Sequence, residues 1–307
     1  MDGSISLYVA DAKIIPESVS YRESVFDYSF GLTFISQFPI TTRAVSCDVF
    51  GTRCDFTVVS IRLVDSGRFE YVCYPTPYVT LLSTLSPSVS VSANLEGICS
   101  TLGVPYASAY PTLSCQWTLP RMKGRVLMDT LTWGASSPNG GCSTFHFRAD
   151  GKCEYSDLLL LSTTDGDGVF TGSLQTQETS RTFMSEFPGI IDFYFYNEDS
   201  VTVKERVVFA EGFGIGSWRQ YLNSSDMMDY YIRKARNQFW RNVFNASRLT
   251  FKNVTGALIR PGSRVRWAES VQSGGQKEDL VVLTLEATYN DGAVDMQMEA
   301  APLVNNG

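Results

Sequence analysis

"IIPESVSYRESVFDYSFGLTF", residues 14–34, decides the fold class. Its second half alternates, with Tyr28, Phe30, Leu32 and Phe34 on one side and Ser29, Gly31 and Thr33 on the other. That period of two predicts a strand with one buried face. Val19 and Tyr21 open a second strand-like run. Arg22, Glu23, Ser24 and Asp27 then form a polar corner between the two. The stretch therefore predicts a long, bent antiparallel pair.

The same pattern continues outward. "VVSIRLVDSGRFEYVC", residues 58–73, predicts a hairpin: Val59, Ile61 and Leu63 alternate, Asp65-Ser66-Gly67 turns, and Phe69, Tyr71 and Cys73 alternate back. Residues 1 to about 80 thus read as antiparallel β. The Pro- and Ser-rich run from Pro75 to Ser92 reads as a boundary. Beyond it the period changes. Leu95, Ile98, Cys99 and Leu102 predict a helix with Ser92 as N-cap and Gly103 as its stop. A second helix is expected over residues 122–133, with Val126, Leu127, Thr130 and Leu131 inward. A Gly/Ser/Pro/Asn loop, 134–141, and a hairpin turning at Asp150-Gly151 complete a small α+β unit.

The remainder reads as β-rich, with strands over 190–196 and 201–210 and one helix over 226–244. Met228, Tyr231, Ile232, Ala235, Phe239 and Val243 form the apolar stripe of that helix. A strand over 248–252, a Pro261-Gly262 loop, a strand over 264–267 and a hairpin turning at 290–292 close the chain.

Composition supports this reading. The 307 residues are 44% hydrophobic and 13% aromatic, enough for β-rich cores in roughly two domains. The net charge of −7 argues against sequence-specific nucleic-acid binding. Residues 1–10 lack the basic and apolar regions of a secretory signal, and the longest apolar runs are far too short to span a membrane. The seven cysteines include no C-x-x-C pair and there is one histidine, so reduced, packed thiols are expected rather than a metal cluster. The Asn-x-Ser/Thr triplets at 223, 245 and 253 read as chance matches without a secretion signal.

Catalytic motifs are weak. His146 sits between two phenylalanines in a strand and reads as a packed side chain. The acids at 165–167 and 198–199 lie in turn-forming sequence. "GFGIGSW", 212–218, lacks the lysine and adjoining helix of a phosphate loop. Arg233, Lys234, Arg236 and Arg241 make the long helix basic, as a solvated face would be or as a contact for an acidic partner.

The order of elements carries more than any single motif. "ADAKIIPESVSYRESVFDYSFGLTF", "VVSIRLVDSGRFEYVC", "SANLEGICSTLGVPY", "MKGRVLMDTLTW", "STFHFRADGKCEYSDL", "GALIRPGSRVRW" and "LVVLTLEATYNDGAVDMQM" follow one another as in the baseplate hub family of phage tails, which the chain resembles over almost its whole length. That family includes the stand-alone hubs of contractile phages, the late control D proteins and the hub half of the type VI secretion spike protein. Residues 226–267 also resemble the hub region of tip proteins from non-contractile tails.

The resemblance implies a mainly β fold. Two tube-like antiparallel β-barrel domains, 1–85 and 158–307, would flank an α+β insert, 86–157, with the 226–244 helix packed in the second. The two barrels are expected from residues 1–80 and from 185–210 with 245–300. It further implies a homotrimeric ring joining a six-fold tail tube to a central spike, with other baseplate or tape-measure proteins as partners. DNA would pass without sequence-specific contact. The setting would be the virion tail, assembled in the host cytoplasm, with no enzymatic activity, cofactor, metal or membrane span. Arg22, Glu23, Asp27, Arg233 and Arg236 are the expected partner-interface residues. The rival class is a β-rich carbohydrate-binding or hydrolytic protein with an aromatic cleft and two facing acids.

Overall fold

The computed structural model describes residues 5–27, 31–49, 51–65, 67–85, 95–108, 121–134, 141–148, 151–160, 168–177, 190–197, 200–208, 217–222, 228–256, 259–268, 278–290 and 293–303. The protein is mainly β. Two barrel-like units share one 12-stranded sheet, and a small α+β unit packs against them.

The first unit contains β1 (Ile5–Val9), β2 (Ala12–Ile14), β3 (Ser18–Ser24), β4 (Gly31–Ser36), β5 (Ala44–Val49), β6 (Thr52–Asp65) and β7 (Arg68–Pro75). Their spatial order is β3-β4-β7-β6-β5-β1-β2. In a flat sheet β3 and β5 would lie about 19 Å apart at ~4.8 Å per strand. Yet Tyr21 of β3 feels the thiols of Cys47 on β5 and Cys54 on β6, and all three share one core with Phe34, Phe56 and Tyr71. The sheet is therefore curled around that core. Leu32 and Phe34 are fully buried, as the opening stretch predicts; Tyr28 and Phe30 lie outside the described residues. Gly31 is needed at the start of β4, because a Cβ there would stand 2.6 Å from the Cys73 carbonyl oxygen.

The second unit contains β11 (Gly168–Gln177), β15 (Leu249–Gly256), β16 (Arg264–Trp267), β17 (Glu278–Asn290) and β18 (Ala293–Pro302). Their order is β16-β11-β15-β18-β17, and β16 also pairs with β17, so the ring closes. Phe170, Phe251, Val265, Leu280 and Met298 fill it. The expected contribution from 185–210 is not observed. β12 (Ile190–Asn197) and β13 (Ser200–Val208) pair instead with β14 (Ser217–Leu222) in a separate three-stranded sheet. Residues 168–177 supply the barrel strand. The apolar and aromatic run over 190–196 marks a strand but carries no information about which sheet it joins.

One strand belongs to both units. On a single edge, β17 pairs first with β16, from Glu278 to Val281, and then with β3, from Thr284 to Asn290. The register shifts between Val282 and Thr284, at the changeover. Backbone bonds hold this fork: Gly262 N–H donates to Val282 O at 2.9 Å and Val25 N–H to Leu283 O at 3.0 Å. Val25, Val281, Leu283, Leu158 and Phe244 bury it.

The α+β unit holds α2 (Leu95–Thr101), β8 (Tyr106–Ser108), α3 (Gly124–Gly134), β9 (Ser143–Phe147) and β10 (Cys153–Asp157). Gly103 stops α2 at φ +70°, with Gly103 N–H bonded to Ser100 O and Val104 N–H to Cys99 O, a Schellman ending. Ser92 lies outside the described residues. On α3, Leu127 and Met128 are buried and Val126 is exposed, so the inward face is rotated from the expected one. Within the run expected to be a boundary lies α1 (Thr76–Ser83). Proline fits its first turn, and Tyr78 and Leu81 bury against the insert. The remaining helix, α4 (Met228–Ala246), packs on α3.

Candidate interaction surfaces

The residues expected at an interface fall into two groups. On β3, Arg22 is exposed and stands opposite Glu286 of β17, whereas Glu23 is buried. The polar corner is thus a correction: Glu23 turns inward, where Tyr21 Oη donates a 2.6 Å hydrogen bond to Glu23 Oε2. Burial pushes the Glu23 carboxyl up to about 7, opposed by the Tyr21 bond and aided by Glu154. Asp27 is half-buried.

Around Glu23 the three units meet. Arg148 and Glu154 of the insert form a 3.0 Å ion pair. His146 lies opposite Glu154 on the neighbouring strand, fully buried, and neither ring nitrogen has a hydrogen-bond partner. Burial, with Arg148 and Arg260 nearby, pushes it down to about 3, so it is a neutral packed ring at ordinary pH. The Pro261-Gly262 turn of the second barrel seats on that ring. A Cβ on Gly262 would stand 3.4 Å from His146 Cε1, and Gly262 itself adopts φ +79°. This is a structural junction, as expected for His146.

On α4 the inward face keeps Phe239 of the expected stripe and otherwise differs from it. Asn237, Phe239 and Phe244 are buried, while Ile232 and Val243 are half-exposed. Asn237 joins three elements. Its amide donates to Trp133 O at 3.1 Å and Arg233 O at 3.0 Å, and its Oδ1 accepts from Ser143 N–H at 2.5 Å. Arg241 bonds the Phe26 carbonyl and lies 4.6 Å from the Phe26 ring centroid and 5.2 Å from that of Trp133. Arg233 and Arg236 are half-buried; the Arg236 stem packs against Gly141. The two expected groups therefore lie on neighbouring elements joined by Arg241. The sequence does not single out Asn237 or Arg241, since the helix holds three asparagines and three arginines.

The exposed large apolar side chains concentrate on the barrels. Ile15 and Phe38 protrude where β3 begins and β4 ends, beside an ionic chain in which Glu17 accepts from Gln37 and Arg68. Val59, Ile61, Leu63 and Val64 project from the outer half of β6, and Val169 and Leu174 from β11. Where Asn253 adopts φ +52°, β15 leaves β18 and opens a cleft of about 380 Å³ lined by Val254, Thr255, Val294, Asp295 and Met296. It has neither an aromatic wall nor two facing acids among those residues. Among the described residues no His, Cys, Asp and Glu side chains gather at metal-ligand spacing, and six cysteines are buried free thiols. The acids at 165–167 and 198–199, the glycines of 212–216 and Cys115 lie outside the described residues. No described helix is long and apolar enough to cross a membrane.

The sequence matches no protein-family model and no curated protein. The fold, however, is that of phage tail proteins and of a type VI secretion component related to them in structure. The chain is similar to a prophage MuSo2 43 kDa tail protein from Shewanella oneidensis, at 12% identity and a TM-score of 0.65, over 98% of this chain and 97% of that one. It is similar to a tail protein from Neisseria meningitidis MC58 at 12% identity and a TM-score of 0.67, over 97% and 95%. It is also similar to the E. coli c3393 protein, a type VI secretion component described as resembling T4 tail proteins gp27 and gp5, at 10% identity and a TM-score of 0.54, over 98% and 77%.

Proposed function

We propose that this chain is the hub of a phage tail baseplate: a structural protein, without catalysis, three copies of which form a ring between the tail tube and the central spike. The observation that carries this reading is the β17 fork. It fixes two barrels side by side in one chain, so three chains present six barrels around a three-fold axis. Such a ring meets a six-fold tube on one side and a three-fold spike on the other, leaving an axial passage for DNA. The fold shared with tail proteins supports it. In this reading the chain sits in the virion tail after assembly in the host cytoplasm, in contact with tube, spike and other baseplate or tape-measure proteins. Arg22, Asp27, Arg233 and Arg236 contribute polar contacts to those partners, while Glu23 acts from inside. Imaging of the intact particle, and the mass of the purified chain, test it: three copies per tail axis are expected. A peripheral monomer, or a ring with another copy number, would rule it out.

A further inference from the structure

The two barrels are equivalent strand for strand. In chain order, β3, β4, β5, β6 and β7 correspond to β11, β15, β16, β17 and β18; in space, β3-β4-β7-β6-β5 corresponds to β11-β15-β18-β17-β16. The hairpins β6–β7 and β17–β18 are the same element in each, built on strands of 14 and 13 residues. In each long strand the first part pairs with the preceding strand of its own barrel, β5 or β16, and a register shift follows, at Val58/Ser60 or Val282/Thr284. After that shift the outer half of β17 pairs with β3 of the other barrel. The outer half of β6, Val59–Asp65, pairs only with β7, and every described residue in it is exposed.

The counterpart of β3 is β11, and its matching edge is open as well. β16 covers β11 only from Gly168 to Phe170, and the Trp267 side chain caps the Gly172 carbonyl. From Ser173 to Gln177 no described strand lies on that side. Both open edges point away from the β3–β17 joint. β6 is the middle strand of the curled first sheet, and β11 lies across its ring from the β17–β18 hairpin. These are also the strands that expose aliphatic side chains, with Leu63 at 61% and Leu174 at 38%.

We infer that the outer half of β6 in one chain pairs antiparallel with Ser173–Gln177 of β11 in a second copy of this chain, repeating between chains the joint that β17 and β3 make within one. The inference rests on the ring reading above and names its surfaces. An unpaired apolar edge calls for an extended strand, and the chain itself supplies one such strand for each such edge. A two-fold pairing of β6 edges would leave β11 uncovered. A head-to-tail contact uses both edges of every chain and makes a ring when its rotation closes, as the ring reading requires.

The test uses the whole chain with Leu63→Lys and Leu174→Lys, read by solution mass, cross-linking and thermal melting. Both positions are exposed, so melting of the single chain is expected to stay unchanged; should either variant melt early, Ile61→Lys and Ser173→Glu, which lie in the same two edges, replace them. Wild type is expected at the mass of three chains and each variant at the mass of one. An equimolar mixture of the two variants, which retains one intact pair of edges, is expected to cross-link as a two-chain species and nothing larger. Variants that keep the three-chain mass would overturn the β6–β11 contact and leave the ring reading standing. Dissociation by one variant alone would overturn it too. A wild-type chain that stays single would overturn both.

Discussion

The two barrels share a strand plan and differ in how they close. In the second, the far edge of β16 runs parallel to β11 and shuts a five-stranded ring. In the first, the equivalent edge of β5 is taken by β1, which pairs in turn with β2, and no pairing between β5 and β3 closes the ring among the described strands. The closed ring is tight. β11 shifts register twice against β15, and a Cβ at Gly256 would meet the Val169 carbonyl oxygen at 2.7 Å. The open one has room for large aromatics, with Phe34 stacked on Tyr71 at 4.8 Å beside three thiols. A small closed barrel and a larger open one are thus alternative solutions for the same five strands. The difference lies in which strand occupies the fifth edge, β1 on β5 or β11 on β16.

The largest expected effects test whether the barrels are one folding unit. Phe34→Ala in the first and Phe251→Ala in the second should each cost about 3–5 kcal/mol, as for other buried phenylalanines. Because β17 belongs to both, each variant should lower a single calorimetric transition. Two transitions, with only one moved by each variant, would break the equivalence and show that the fork does not couple them.

Next come the positions that admit no side chain. Gly31→Ala and Gly256→Ala each drive a methyl into a carbonyl of the next strand, with an expected cost of about 1–3 kcal/mol. Chemical denaturation of both would sharpen the comparison: the closed ring should suffer more, having no seam through which to relax. An equal or smaller loss at Gly256 would contradict that account of closure.

The joint between the barrels is expected to carry two opposed pH dependences. Glu23 has its folded value raised to about 7 from 4.5. Its contribution is therefore complete below 4.5 and lost as pH rises through 7. His146 is lowered to about 3 from 6.5. Its contribution is complete above 6.5 and lost as pH falls through 3. Each limb is worth about 1.4 kcal/mol per pH unit where it acts alone, so stability should fall on both sides of a plateau between pH 4.5 and 6.5. Glu23→Gln should flatten the fall on the alkaline side of the plateau. An unchanged alkaline limb in that variant would place the proton elsewhere.

The smallest effect on stability is expected at the barrel mouth. Phe38→Lys and Ile15→Lys remove exposed apolar surface and should shift unfolding by no more than about 0.5 kcal/mol. If the mouth of the open barrel meets the tube or spike, these variants should still form the three-chain species but fail to enter particles. Normal incorporation would assign that contact to the second barrel.

The hairpins were legible because alternation and turn chemistry are local. β6–β7 and β9–β10 turn where Gly67 and Gly151 indicate, and β17 ends at Asn290 and β18 begins at Ala293, on either side of the expected turn. The helices α2 and α4 were legible from their period, but α1 was masked by its prolines, which suit a first helical turn as well as a loop. β8 and β11 escaped notice because three residues, or a strand rich in Thr, Ser and Gln, give no strong period. Of the residues expected at an interface, Arg22 is exposed and Glu23 is buried. A carboxylate reads as solvated unless a partner such as Tyr21 Oη is known to wait for it.

By itself the sequence determined the β-rich class, the hairpins and the order of elements, since these follow from the side-chain period and the turns between neighbours in the chain. Only the tertiary structure decided that 168–177 rather than 190–208 completes the second barrel, that β17 serves two barrels, and that β6 and β11 keep open edges. Those outcomes depend on pairing between strands far apart in sequence and on single-residue register shifts. A shift at Val282 reassigns every partner beyond it, and no local pattern of apolar residues records which neighbour the freed edge will meet.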